Sequence, residues 1–218
     1  MTGTATVWQP LYFPKLHYLA RLAKSDVFVI FDDAEFSRSS RQHRTQIDFQ
    51  NKTWLTIPIK RSTATVSLDN ARIDMSQDWV AQHLGTLQAK YGEDARTMFE
   101  EYYTDLNEAS TIIDITVPTL KRVIQEFDID VDTYNSSELD IPYDKGNPSV
   151  YNARLANHFD CDVYYCGQNA YEGYLDPDPF KKRDIHIRIQ DWTPTWADGN
   201  VCALDVLFNS VNPPDYIR

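Results

Sequence analysis

The stretch Val27-Phe28-Val29-Ile30-Phe31, closed by Asp32-Asp33, decides the fold class. Five consecutive apolar residues between Asp26 and the Asp pair read as a strand buried on both faces, the kind that helices cover in parallel sheets. Upstream, Leu16, Leu19, Ala20 and Ala23 recur at helical spacing, and Thr4 to Trp8 is a β-branched run ending at Gln9-Pro10. Strand, helix and buried strand make a βαβ opening. Downstream, residues 45–49 and 53–59 alternate around the turn-rich Gln50-Asn51-Lys52 and predict a hairpin. Trp79, Val80, His83, Leu84, Leu87 and Tyr91 then recur at helical spacing, with Ser76 as the expected cap and Gly92 as the stop. Helical stretches follow over 94–106 and 110–127, the second expected to break or restart at Pro118. Asn147-Pro148 supplies a cap and an N1 proline for another helix. The strand 163–166, the alternating run 185–189 and a closing helix over 201–209 complete the pattern. The expectation is an α/β fold: a single domain over 1–218 with a mainly parallel or mixed sheet, a hairpin near 45–60 and a helical middle near 76–127.

Charge removes several classes of function. Among 218 residues, 32 acidic side chains face 21 basic ones, giving a net charge of −11. Such a field repels phosphodiester backbones, and the densest basic run is only Lys181-Lys182-Arg183, so a nucleic acid polymer is not an expected partner. No apolar stretch approaches a membrane span, and residues 1–10 lack the charged and apolar regions of a secretory leader, so the expected compartment is the cytoplasm without membrane insertion. Cys161, Cys166 and Cys202 fit no common zinc spacing and read as reduced thiols. Neither G-x-G-x-x-G nor G-x-x-x-x-G-K occurs, which argues against dinucleotide and P-loop sites; no metal and no cofactor is expected.

The candidate chemistry starts at the carboxyl end of the buried strand, where open α/β sheets place ligands. Neighbouring side chains of an extended segment point oppositely, so one of Asp32 and Asp33 can face a crevice while the other serves the turn. Glu35 either joins Asp33 or belongs to a solvated loop. Arg38, Arg41, His43 and Arg44 concentrate cations within seven positions, which suits either an anion clamp or surface ion pairs with the surplus Asp. Lys60 can add a point charge. His83 sits in the apolar stripe of its helix and is either a satisfied core histidine or a general base. Gln9 and Tyr12 follow the first strand and can offer hydrogen bonds to a substrate.

These segments together resemble the WbqC-like family. The resemblance is carried by Gln9-Pro10-Leu11-Tyr12-Phe13-Pro14, by Lys24 to Val29 running into Asp32-Asp33 and Phe36, and by Arg44 with Ile47. Trp54 to Lys60, Trp79 with His83 and Tyr91, Tyr164 to Gly167, Tyr174-Leu175-Asp176 and Leu204 to Asn209 extend it over nearly the whole chain. Three positions depart: Trp8 stands where the family usually has histidine, His43 where it has Asn, and the usual glycine after the final Asn is missing. The resemblance implies an enzyme of surface-polysaccharide or natural-product biosynthesis that attaches an acyl or aminoacyl group, such as glycine, to an amino sugar or related amine. To this the reading of the residues adds a site: Asp33 or His83 as the catalytic base, with Gln9, Tyr12, Asp32, Arg44, Lys60 and Tyr91 binding substrate. Expected partners are an amino sugar or sugar nucleotide and an acyl-carrier or aminoacyl donor; a homo-oligomer stays open. The competing expectation is a non-catalytic sugar-nucleotide-binding or assembly protein of the same pathway.

Overall fold

The computed structural model describes residues 3–63, 66–143, 146–196 and 201–218. The chain divides into two compact units, and each is described by itself.

The first unit takes in residues 1–8, 20–31 and 129–193. It holds a five-stranded sheet of β1 (Gly3–Trp8), β2 (Val27–Ile30), β5 (Asp132–Asn135), β6 (Cys161–Cys166) and β7 (His186–Ile189), ordered β5-β2-β1-β6-β7. Every neighbouring pair is parallel, with Ala5 against Val27 and Val163 against His186 as register marks. The apolar run at β2 is buried along its whole length, as its composition requires of a strand flanked on both sides. β5 was not legible in this way: its sequence Asp-Thr-Tyr-Asn lies on an edge and alternates between exposed and half-buried. Helix α5 (Pro148–His158) starts as expected, with the Asn147 side chain accepting from the Val150 N–H. It packs Tyr151, Leu155 and Ala156 into the core with Val29, Tyr164 and Phe180. Two short helices, α6 (Gln168–Gly173) and α7 (Asp178–Lys181), precede β7.

The second unit takes in residues 9–19, 32–128 and 194–218. The expected hairpin is present as antiparallel β3 (Arg44–Ile47) and β4 (Thr53–Thr56). Its turn is set by Asp48 and Lys52, both with φ of 53°. The helical middle consists of α2 (Trp79–Tyr91), α3 (Glu93–Thr104) and α4 (Ile113–Glu126). Gly92 ends α2 with φ of 94°, a left-handed conformation that favours glycine. Two expectations are corrected. Asp78, not Ser76, occupies the cap position of α2, because Ser76 is held by the Asp74 carboxylate. Pro118 does not break α4: Ile115, Thr116, Val117, Thr119 and Leu120 around it are buried, and that packing overrides the local penalty. Helix α8 (Ala203–Asn209) closes the chain as anticipated, and α1 (Leu16–Leu22) follows β1. The core of this unit includes Phe13, Leu55, Leu87 and Phe99, with the rings of Phe13 and Phe99 packed edge to face. Among the described residues no helix is long and apolar enough to cross a membrane.

Candidate functional site

All eight residues singled out as a site belong to the second unit. Asp32 and Asp33 form a turn in which Asp32 is 1% exposed and Asp33 is half-buried. The loop beyond them is held by backbone pairing, with the Phe36 N–H donating to Val66 O and the Leu68 N–H to Ala34 O.

Gln42 organises this loop, and nothing in its local sequence marked it. It is 1% exposed. Its amide nitrogen donates to Gln9 Oε1 at 2.7 Å and to Glu35 O at 3.0 Å. Its amide oxygen accepts from the Ser37 N–H and the Ser40 hydroxyl, both at 2.7 Å. One buried amide thus ties the Gln9 segment to the loop carrying Asp33 and the cations. Tyr18 Oη adds a bond to Gln9 O at 3.0 Å.

The cations follow directly. Arg44, at the start of β3, donates through Nη2 to Ser39 O. The guanidiniums of Arg41 and Arg44 lie 5.5 and 5.2 Å from the centre of the Trp54 ring, within cation–π range. His43 turns to the opposite side, edge-on to Phe36, and burial, followed by the charges of Arg44 and Arg38, lowers its pKa to about 4. It is therefore neutral at pH 7.

His83 is a core histidine. It is 5% exposed, and both ring nitrogens are used: Nε2 accepts from the Thr56 N–H at 3.1 Å, and Nδ1 lies 2.9 Å from Tyr12 Oη. A backbone N–H can only donate, so the neutral ring carries its proton on Nδ1. Nδ1 then donates to Tyr12, and the Tyr12 hydroxyl donates to Tyr103 Oη. Burial lowers the His83 pKa to about 4. In this arrangement the ring has no lone pair left for an amine, the geometry of a satisfied core histidine. Tyr12 is wholly buried in the same network and does not present its hydroxyl to a substrate.

Two further expectations meet other partners. The Lys60 ammonium is paired with Glu108 at 2.5 Å. Tyr91 donates its hydroxyl to Asp205 Oδ1 at 2.7 Å and stacks on Phe208. Burial, together with nearby Cys202 and Asp205, raises its pKa. The carboxylate, the arginines, Gln9 and Gln42 thus share one loop system, whereas His83, Tyr12 and Tyr91 support the core around it.

In the first unit the strand order reverses between β1 and β6, the position that marks ligand crevices in open α/β sheets. The carboxyl ends of these two strands carry Trp8 and Cys166-Gly167. There the buried Arg21 guanidinium stacks on Trp8 at 3.9 Å and donates twice to Gln190 Oε1. Arg21 and Gln190 are separated by 169 positions, so only the folded chain reveals the pair.

The three cysteines are free and buried, and burial raises the thiols, that of Cys161 to about 11 and that of Cys202 to about 12. Such thiols are poor nucleophiles. Among the described residues no group of three or more His, Cys, Asp or Glu is placed to hold a metal ion.

No solved structure matches the chain. The uncharacterized protein Rv1507c of Mycobacterium tuberculosis is 23% identical to it, over 96% of this chain and 95% of that protein. The profile of the WbqC-like protein family matches residues 9–213, which takes in the Gln9 segment, the Asp32-Asp33 turn, the arginine loop and the closing helix alike. The chain belongs to the WbqC-like protein family.

Proposed function

We propose that the chain is an amide-forming acyl or aminoacyl transferase of the glycyl type, acting on an amino sugar or related small amine in surface-polysaccharide or natural-product biosynthesis. It works in the cytoplasm with a small-molecule acceptor and an activated acyl donor. The observation that carries this reading is the Gln42-locked loop, which holds the half-buried Asp33 and the arginines in one segment joined to Gln9. Asp33 is the base, because His83 has both nitrogens engaged. The Asp33 carboxylate takes a proton from the acceptor ammonium. The freed nitrogen lone pair attacks the acyl carbonyl and the new C–N bond forms as the thioester C–S or ester C–O bond breaks; the second proton of the nitrogen passes to the departing thiolate or alkoxide, and Asp33 releases the first to solvent. Arg44 holds the phosphate of a substrate. His83 and Tyr12 act as positioning residues beneath β4.

The test is amide formation from a glycyl thioester or glycyl-tRNA and glucosamine, followed by mass spectrometry. Asp33→Asn is expected to abolish the product while the variant stays folded. Undiminished product from Asp33→Asn would sink the mechanism. A second reading, a non-catalytic sugar-nucleotide-binding or assembly protein, is favoured by two observations: His83 and Tyr12 are spent on the core, and Trp8 stands where the family usually has histidine. Ligand binding without turnover from any donor would select it.

A further inference from the structure

We propose that the outer face of the β3–β4 hairpin is a binding platform for a phosphorylated sugar, whose ring stacks on Trp54 and whose phosphate is held by Arg41 and Arg44. The proposal deepens the transferase reading by fixing the acceptor as a sugar phosphate, and rests on it for the role of Arg44.

The platform follows from register. Arg44 pairs with Thr56 and Gln46 with Trp54, and these four alternate with the buried Thr45, Ile47 and Leu55. They therefore share the outward face. On it the Trp54 indole remains 47% exposed, a large apolar ring left to water in a chain of net charge −11. Both guanidiniums lie over this ring within cation–π range, which leaves its remaining exposed surface for a sugar. Two of their nitrogens, Arg41 Nη1 and Arg44 Nε, are buried and have no hydrogen-bond acceptor among the described residues. A buried donor without an acceptor is destabilising, so an arrangement that retains two of them fits a ligand that accepts.

A dianionic phosphate accepts from several guanidinium N–H groups at once. The net charge of −11 disfavours anions in general, and the arginines at 38, 41 and 44 concentrate positive charge in this segment. The C–H faces of a sugar ring suit the indole, while Gln46 and Thr56 on the same face offer an amide and a hydroxyl for ring hydroxyls.

The test is titration calorimetry of the full chain with glucosamine 6-phosphate, glucosamine, inorganic phosphate and uridine monophosphate. Glucosamine 6-phosphate is expected to bind roughly tenfold or more tightly than either glucosamine or phosphate, since it engages the ring and the arginines together. Trp54→Ala is expected to lose that tenfold while keeping the affinity for phosphate, and Trp54→Phe to restore most of it. The double variant Arg41→Gln, Arg44→Gln is expected to lose both ligands. Equal affinity for the sugar phosphate and phosphate, or a Trp54→Ala variant that binds unchanged, overturns the platform. So does a loss that Trp54→Phe fails to restore. Tighter binding of uridine monophosphate with the same Trp54 dependence overturns the sugar assignment. Turnover is read separately: binding with no amide product defeats the transferase reading and leaves the platform, and product formation insensitive to Trp54 does the reverse.

Discussion

His83 Nδ1 lies 2.9 Å from Tyr12 Oη, and this bond is the middle of a chain that joins the Thr56 backbone to Tyr103 through two buried side chains. The chain requires a neutral imidazole, since a protonated ring cannot accept from the Thr56 N–H. In the folded state the His83 pKa is lowered from 6.5 to about 4 by burial. The unfolded chain therefore binds more protons between these values. Stability from this group is complete above pH 6.5 and is lost progressively as the pH falls to about 4. At about 1.4 kcal/mol per pKa unit the window holds roughly 3 kcal/mol. His43, held to about 4 by its burial and then by Arg44 and Arg38, titrates in the same window. Urea midpoints measured across it should fall steeply, and His83→Gln should reduce the slope. A wild-type midpoint constant across the window would show that neither histidine is held neutral.

Gln42→Ala should destabilise the chain by about 2 kcal/mol or more, because it leaves the Ser37 N–H without its acceptor and releases Gln9 from the loop. Gln42→Glu should be worse although it is nearly isosteric. A carboxylate has no hydrogen for Gln9 Oε1 or Glu35 O, both now 2.7 and 3.0 Å from a donor, and it places a charge where the side chain is 1% exposed. Hydrogen exchange of residues 35–42 should quicken in both variants. Equal stability for Gln42→Glu and wild type would show that the amide is not read as a donor.

The parts of the fold that local pattern controls were legible. Val27 to Ile30 is a continuous apolar run, and only a strand covered on both faces uses such a run; Asn147-Pro148 caps α5 through a bond three residues away. What escaped depends on distant partners. β5 is a polar edge strand whose existence rests on pairing with β2 about a hundred positions earlier. Pro118 looked like a break because propensity is local, whereas the buried residues around it are held by tertiary packing. At the candidate site the cation cluster and the unequal Asp pair could be read from the sequence. Gln42 and Arg21 could not, since one is defined by Gln9 at a separation of 33 and the other by Gln190 at 169.

Gly167 should not tolerate a methyl group. Its backbone is ordinary, with φ of −87°, so the constraint is space: a Cβ there would overlap the Nη2 atom of Arg21. Arg21 is 7% exposed, stacked on Trp8 and doubly bonded to Gln190, so the guanidinium has little freedom to yield. Gly167→Ala should cost about 1–3 kcal/mol, the range of overpacking. Pairing it with Arg21→Ala should remove most of the added penalty, a non-additivity that a double-mutant cycle in urea would measure. Strict additivity would show that the methyl meets something other than Arg21.

Asp205 is a buried carboxylate whose charge opposes the fold while its oxygens hold it together. Oδ1 accepts from the Tyr91 hydroxyl at 2.7 Å and from the Asp48 N–H at 2.9 Å, whereas Oδ2 is buried without a hydrogen-bond partner among the described residues. Burial raises the pKa above its ordinary 3.8, outweighing those bonds. The folded chain thus binds the proton more tightly than the unfolded one. The contribution of Asp205 is fully present below 3.8 and is lost as the pH rises through the folded value. Asp205→Asn keeps an acceptor for Tyr91 and Asp48 and removes the charge, so near neutral pH it should be much less damaging than Asp205→Ala. The alanine variant strands both donors and should cost about 2–3 kcal/mol. The stability of wild type relative to Asp205→Asn should also decline as the pH rises from below 3.8. Equal damage from the two variants near neutral pH would mean that the carboxylate charge itself is needed there, with a cation close enough to neutralise it.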